Sequence, residues 1–129
     1  FVSSLPFSGN PAGVTIINCF NDKICQNIAM EMNLSETAFL KPLQNNLFNN
    51  KCNKWMVRWW TPTLEIDFCG HGSLACAHLL FEKNLADNNK RIELVTKSKG
   101  SLFVTKLSNQ KFMYQLNFPR TKIYSTLML

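Results

Sequence analysis

Five consecutive residues, Cys69, Gly70, His71, Gly72 and Ser73, bring together a thiol, an imidazole, a hydroxyl and a pair of glycines. The stretch before them, Trp59-Trp60-Thr61-Pro62, reads as a strand end and a turn. The stretch after them, Leu74-Ala75-Cys76-Ala77-His78-Leu79-Leu80-Phe81, is apolar on every side and reads as an enclosed helix. The five residues therefore sit at a helix N-terminus, where unpaired backbone N–H groups favour an anion and glycines let a ligand approach closely. A thiol at such an end is expected to have a depressed pKa. The chemistry this favours is the holding of a small carboxylate beside groups that move a proton. Glu36 is a further candidate, because a carboxylate at a strand start belongs either to an exposed sheet edge or to a site.

The elements that must position these groups are legible from patterning. Ser8-Gly9-Asn10-Pro11 is a turn by composition, and residues 12–19 read as a buried strand, while Phe1 and Val2 read as the tail of another. Asn21 or Asp22 caps a helix whose apolar stripe is Ile24, Cys25, Ile28, Ala29 and Met32, and Asn33 suits its left-handed end. A short strand at 34–40 carries Glu36. A polar, asparagine-rich loop over 44–53 leads to a strand at 55–61, with Trp55, Val57 and Trp59 on one face and Met56, Arg58 and Trp60 on the other. Strands at 92–96, 102–107 and 111–118, joined by short turns, predict an antiparallel meander. The tail 121–129 has no clear pattern. Roughly six or seven strands and two helices with short connections imply an α+β class.

Composition limits the function classes. The 129 residues suffice for one domain with a core. The net charge is +6, but the fourteen Lys and Arg are scattered, which argues against a nucleic-acid partner. Five cysteines, with no closely paired spacing, argue against a disulfide framework or a metal knuckle and for a reducing, cytoplasmic setting. No apolar run is long enough to cross a membrane and no signal peptide is visible. The first residue is Phe1 rather than Met, which predicts a processed, trimmed or partial chain.

Four segments, taken together, resemble the phenazine-biosynthesis-like (PhzF) family in order and spacing. They are Phe7-Ser8-Gly9-Asn10-Pro11-Ala12-Gly13-Val14, Met32-Asn33-Leu34-Ser35-Glu36-Thr37-Ala38-Phe39, Arg58-Trp59-Trp60-Thr61-Pro62 and Cys69-Gly70-His71-Gly72-Ser73-Leu74-Ala75. The resemblance runs almost to Pro119. It implies a diaminopimelate-epimerase-like fold, in which each of two lobes is a mostly antiparallel mixed sheet curled round a central buried helix. Residues 1–129 are then a single N-terminal lobe, with no match to the family's second glycine-rich helix start and its acidic residue. The implied activity is a cofactor-independent isomerisation, without a metal, by acid/base proton transfer on a small carboxylic acid. Glu36 falls on the family's acid/base and His71 on the histidine at the central helix start. Gly70, Gly72 and Ser73 fall on the segment that holds the substrate carboxylate, and Asn10 on the loop beside the cleft.

Cys-Gly-His-Gly also resembles the proline-racemase motif, in which that cysteine is a base, so Cys69 is a further catalytic candidate. The plain reading of Cys69 is a small buried hydrophobe. A non-catalytic small-molecule-binding or protein-interaction module on the same fold is the alternative for the whole chain. Cys76 and His78 read as core residues of the helix, and Glu65 and Asp67 as turn residues. Trp55, Trp59 and Trp60 read as core or cleft wall. The expected partners are a small carboxylate and either a missing second lobe or a second copy of the chain on the uncovered lobe-facing surface.

Overall fold

The computed structural model describes residues 5–44, 50–107 and 113–118. The expected strand tail at Phe1 and Val2, the middle of the asparagine-rich loop, the last turn of the meander and the C-terminal tail lie outside the described residues.

The elements run β1 (Ala12–Ile16), α1 (Asp22–Met32), β2 (Glu36–Pro42), β3 (Lys54–Trp60), β4 (Glu65–Ile66), α2 (Gly70–Glu82), β5 (Ile92–Val95), β6 (Ser101–Lys106) and β7 (Tyr114–Asn117). The described strands form one sheet in the order β1-β2-β3-β5-β6-β7, with β4 also paired to β3. The pairs β1–β2 and β3–β5 are parallel, and each is connected through a helix, as a parallel pair requires. The other pairs are antiparallel, including the β5–β6–β7 meander. One edge of β3 is divided: Lys54–Met56 pairs with β5, while Trp59 and Trp60 pair with β4. A two-residue strand is too short to show alternation, so β4 read as part of a turn.

Helix α2 packs against β1 and β2 at one end of the sheet and against β7 at the other, so the sheet curls round it. The α+β class, with its mixed and mostly antiparallel sheet, is as expected. Ala38, Leu40, Trp55, Val57 and Trp59 meet Cys76, Ala77, Leu80 and Phe81 in the main core. The opposite face of β2 and β3 sends Phe39 and Trp60 against Cys25 and Ala29 of α1. Phe39 and Trp60 meet edge to face at 5.2 Å. The alternation read along 55–60 thus has a physical partner on each face.

Some expectations fail in detail. Helix α2 is not enclosed on every side, because His78 is exposed and its Nδ1 lies 2.7 Å from Tyr114 Oη. In α1, Ile24 and Met32 are exposed, since the helix covers only the Phe39–Trp60 patch. β1 is half-buried rather than buried. All five cysteines are free thiols. No helix among the described residues is long and apolar enough to cross a membrane.

Candidate active site

Two local devices bring the predicted residues together. At the end of α1, Asn33 takes a left-handed conformation (φ 50°) and its N–H bonds to Ala29 O. An asparagine tolerates that turn, which redirects the chain into β2 within three residues. Glu36 opens β2 opposite Ala12 of β1. It lies in line with Ala38 and Leu40, on the sheet face that packs against α2. At the start of α2, Cys69 is the N-cap, with extended backbone and its Sγ accepting from Gly72 N–H at 3.3 Å. His71, in the first turn, then reaches Glu36.

His71 Nε2 lies 2.9 Å from Glu36 Oε2, and these side chains are 18% and 20% exposed, so the pair is enclosed but open to a ligand. The distance is that of an ion pair, yet Nε2 makes no aligned hydrogen bond and is otherwise enclosed. On the far side of the ring, Nδ1 is 3.4 Å from Cys69 Sγ. One donor atom from each of Glu36, Cys69 and His71 lies within 4.8 Å of the other two.

Ser35 extends the chain of contacts. Its hydroxyl donates to Glu36 Oε2 at 2.7 Å and stands 3.0 Å from Asn10 Oδ1. A hydroxyl has a single proton, so with that proton on the carboxylate, the Asn10 amide turned nitrogen-first completes the sequence Asn10–Ser35–Glu36–His71. Sequence reasoning assigned Ser35 no role; its position next to Glu36 was the available signal.

Ser73 is fully buried, and both its N–H and its hydroxyl bond to Cys69 O, at 3.1 and 2.6 Å. With Gly72 N–H on the thiol as well, the N–H groups of Gly70 and His71 remain as first-turn donors that have no carbonyl within the helix to bond. Trp59, read from the sequence as core or cleft wall, belongs to the core and also borders the start of α2. Its indole lies against Gly72, and its Nε1 is buried without a partner.

Cys69 does not have the depressed pKa expected of a thiol at a helix end. Burial is the main cause that pushes it up to about 11, and the nearby Glu36 carboxylate adds to the effect, outweighing the Gly72 N–H. Burial likewise pushes up Cys76, further along the helix.

A family model described as phenazine biosynthesis-like protein matches residues 1–126. The chain is 41% identical over 114 residues to an uncharacterised isomerase of Halalkalibacterium halodurans, covering 88% of this chain and 38% of that protein. It is 42% identical over 95 residues to the human phenazine biosynthesis-like domain-containing protein, covering 71% of this chain and 32% of that one. A crystal structure of a PhzF-family phenazine biosynthesis protein from Enterococcus faecalis superposes with a TM-score of 0.70 at 36% identity, over 82% of this chain and 37% of that one. The chain therefore spans well under half the length of these relatives. Matched from its first residues, through the strand that carries Glu36 and the helix that begins at Gly70, almost to its end, it belongs to the phenazine biosynthesis-like protein family.

Proposed function

We propose that the chain supplies the proton-transfer half of a cofactor-independent isomerase that acts on a small carboxylic acid. The observation that carries this is the Glu36 carboxylate held 2.9 Å from the His71 imidazole at the open end of α2. Glu36 takes a proton from a carbon of the substrate and returns it at another position. Ser35 and His71 hold the carboxylate in place. The N–H groups of Gly70 and His71, at the positive end of α2, hold the substrate carboxylate and the charge that develops on proton removal. Asn10 lines the same opening through Ser35. Relatives named as uncharacterised isomerases, from Halalkalibacterium halodurans and Pseudomonas aeruginosa, support an isomerase reading.

The test is proton exchange from deuterated solvent into a panel of small unsaturated and hydroxylated acids, using the full-length protein. Glu36→Gln is expected to reduce exchange at least about a hundredfold. Unchanged exchange would remove Glu36 from the mechanism, and binding without any exchange in the wild type would favour a non-catalytic module. Cys69 is held as the thiol at neutral pH by its burial, so it is poorly suited to be the resting base. Cys69→Ala is therefore expected to keep exchange within about tenfold of wild type, and loss on the scale of Glu36→Gln would restore the thiol-base reading.

A further inference from the structure

We propose that Cys69, His71 and Glu36 form a zinc site, and that Zn²⁺ bound there is a reversible inhibitor of whatever ligand or reaction the site serves. The binding claim rests on geometry alone, while the inhibition claim rests also on the proposed function.

Thiolate, imidazole and carboxylate are the three side-chain donors that zinc prefers, and three protein ligands with one open position is the usual arrangement of an accessible zinc. Around a tetrahedral zinc with bonds of about 2.0 Å to N and O and about 2.3 Å to S, donor atoms stand about 3.3–3.6 Å apart. Of the present separations, the 3.4 Å between His71 Nδ1 and Cys69 Sγ lies within that range, and the 2.9 Å between Glu36 Oε2 and His71 Nε2 is a few tenths of an ångström short of it. One donor from each residue already lies within 4.8 Å of the others. Both ring nitrogens have a neighbour at present; an ion takes one of them, and a modest turn of the imidazole brings that nitrogen between thiol and carboxylate.

A second observation points the same way. His71 Nε2 is enclosed and meets the Glu36 carboxylate at 2.9 Å, an ion-pair contact that is not aligned as a hydrogen bond. A metal ion between the two side chains gives the ring nitrogen and the carboxylate oxygen a better aligned partner than they give each other. The site can also be entered, since the Glu36 and His71 side chains are partly exposed. Zinc takes the sulfur as thiolate, so binding releases the Cys69 proton to solvent, and the ion itself supplies the charge that makes this favourable. Glu36 bound to zinc shares its negative charge with the ion and is a much weaker base toward a substrate proton, and the ion occupies the space beside it.

The experiment is a Co²⁺ titration of the full-length protein followed by absorption. The expected result is a near-ultraviolet sulfur-to-cobalt band with strong visible bands of tetrahedral cobalt, all lost on adding Zn²⁺. Cys69→Ser is expected to abolish the ultraviolet band, and Glu36→Gln and His71→Asn to weaken Zn²⁺ binding at least about tenfold. Cys19→Ser and His78→Ala, at the exposed cysteine and the other histidine, are expected to change neither. Absence of the sulfur band in wild type, or its survival in Cys69→Ser, would overturn the site, and the wild-type spectrum decides even if a variant fails to fold. Zn²⁺ is also expected to stop proton exchange and a chelator to restore it. A cobalt spectrum as described with exchange unaffected by Zn²⁺ would overturn the inhibition. A cobalt spectrum in a protein that shows no exchange at all would count against the isomerase reading and leave the metal site standing.

Discussion

A β-carbon added at Gly72 would lie 3.0 Å from Cys69 Sγ and 3.2 Å from Trp59 Cδ1. Neither neighbour can withdraw at small cost, because the thiol caps α2 and the indole is buried in the core. Overpacking of this kind costs about 1–3 kcal/mol, and the helix preference for alanine over glycine returns at most about 1 kcal/mol. Gly72→Ala is therefore expected to lose about 1 kcal/mol in urea unfolding and to weaken binding at the helix end. Away from the site, Arg58 is nearly buried and fork-bonded to Glu65 at 2.7 and 2.8 Å, with Asp22 at 3.0 Å and the ring of Trp60 under its guanidinium at 4.7 Å. The bond from Arg58 is the main cause that holds the Glu65 carboxyl below its usual value. A carboxylate with a lowered folded-state pKa adds stability that is fully present above the ordinary glutamate pKa. That stability is lost as pH falls through the lower folded value. Wild type is thus expected to lose more stability than Glu65→Gln between about pH 5 and pH 3, read as the shift in urea midpoint. At pH 7, Glu65→Gln should cost about 1.5–3 kcal/mol, since a charged hydrogen-bonded pair is broken.

Helix ends decide where the catalytic candidates stand. Asn21 caps α1 by accepting from Ile24 N–H at 3.1 Å, and Asn33 ends it in the left-handed region. Asn33→Gly is expected to change stability by only a few tenths of a kcal/mol, whereas Asn33→Ala should cost about 1 kcal/mol, because a β-carbon is strained there. Thermal unfolding of the two variants side by side checks this. If the turn also sets the position of Glu36, Asn33→Ala should lose ligand affinity as well. These ends were legible in the sequence because capping chemistry is local: an asparagine at each end of a helical stripe, and a cysteine before Gly-His-Gly. The alternation along β3 and the β5–β7 meander were legible for the same reason. What was not legible depends on partners far along the chain. The pKa of Cys69 is governed by burial in a core built from strands distant in sequence, which overrides the helix-end effect. The exposed His78 finds Tyr114, 36 residues away. That Glu36 and His71 serve one site is implied by the family resemblance rather than by spacing, since no periodicity links a strand start to a later helix start.

Over the molecule as a whole, the mouth of the site is bordered by apolar surface. Phe68, next to Cys69, is 40% exposed and Phe118 is 60% exposed. The rings of Phe68 and Phe118 lie 5.7 Å apart, and Phe68 also meets the buried Trp59 at 6.3 Å. A rim of this kind is ordinarily covered, and the relatives' chains, more than twice as long, hold the residues that could cover it. The 129-residue chain by itself is therefore expected to associate with a second copy through this rim. The net charge of +6 opposes that association, and salt screens the repulsion. The average mass in sedimentation should then rise with protein concentration and rise further with added salt. Replacing Phe68 and Phe118 together by serine removes the exposed rings while leaving Glu36 and His71 in place, so it should return the chain to a monomer with its fold intact by circular dichroism. A wild-type chain that stays monomeric at high concentration and high salt would show that the rim is not a docking face.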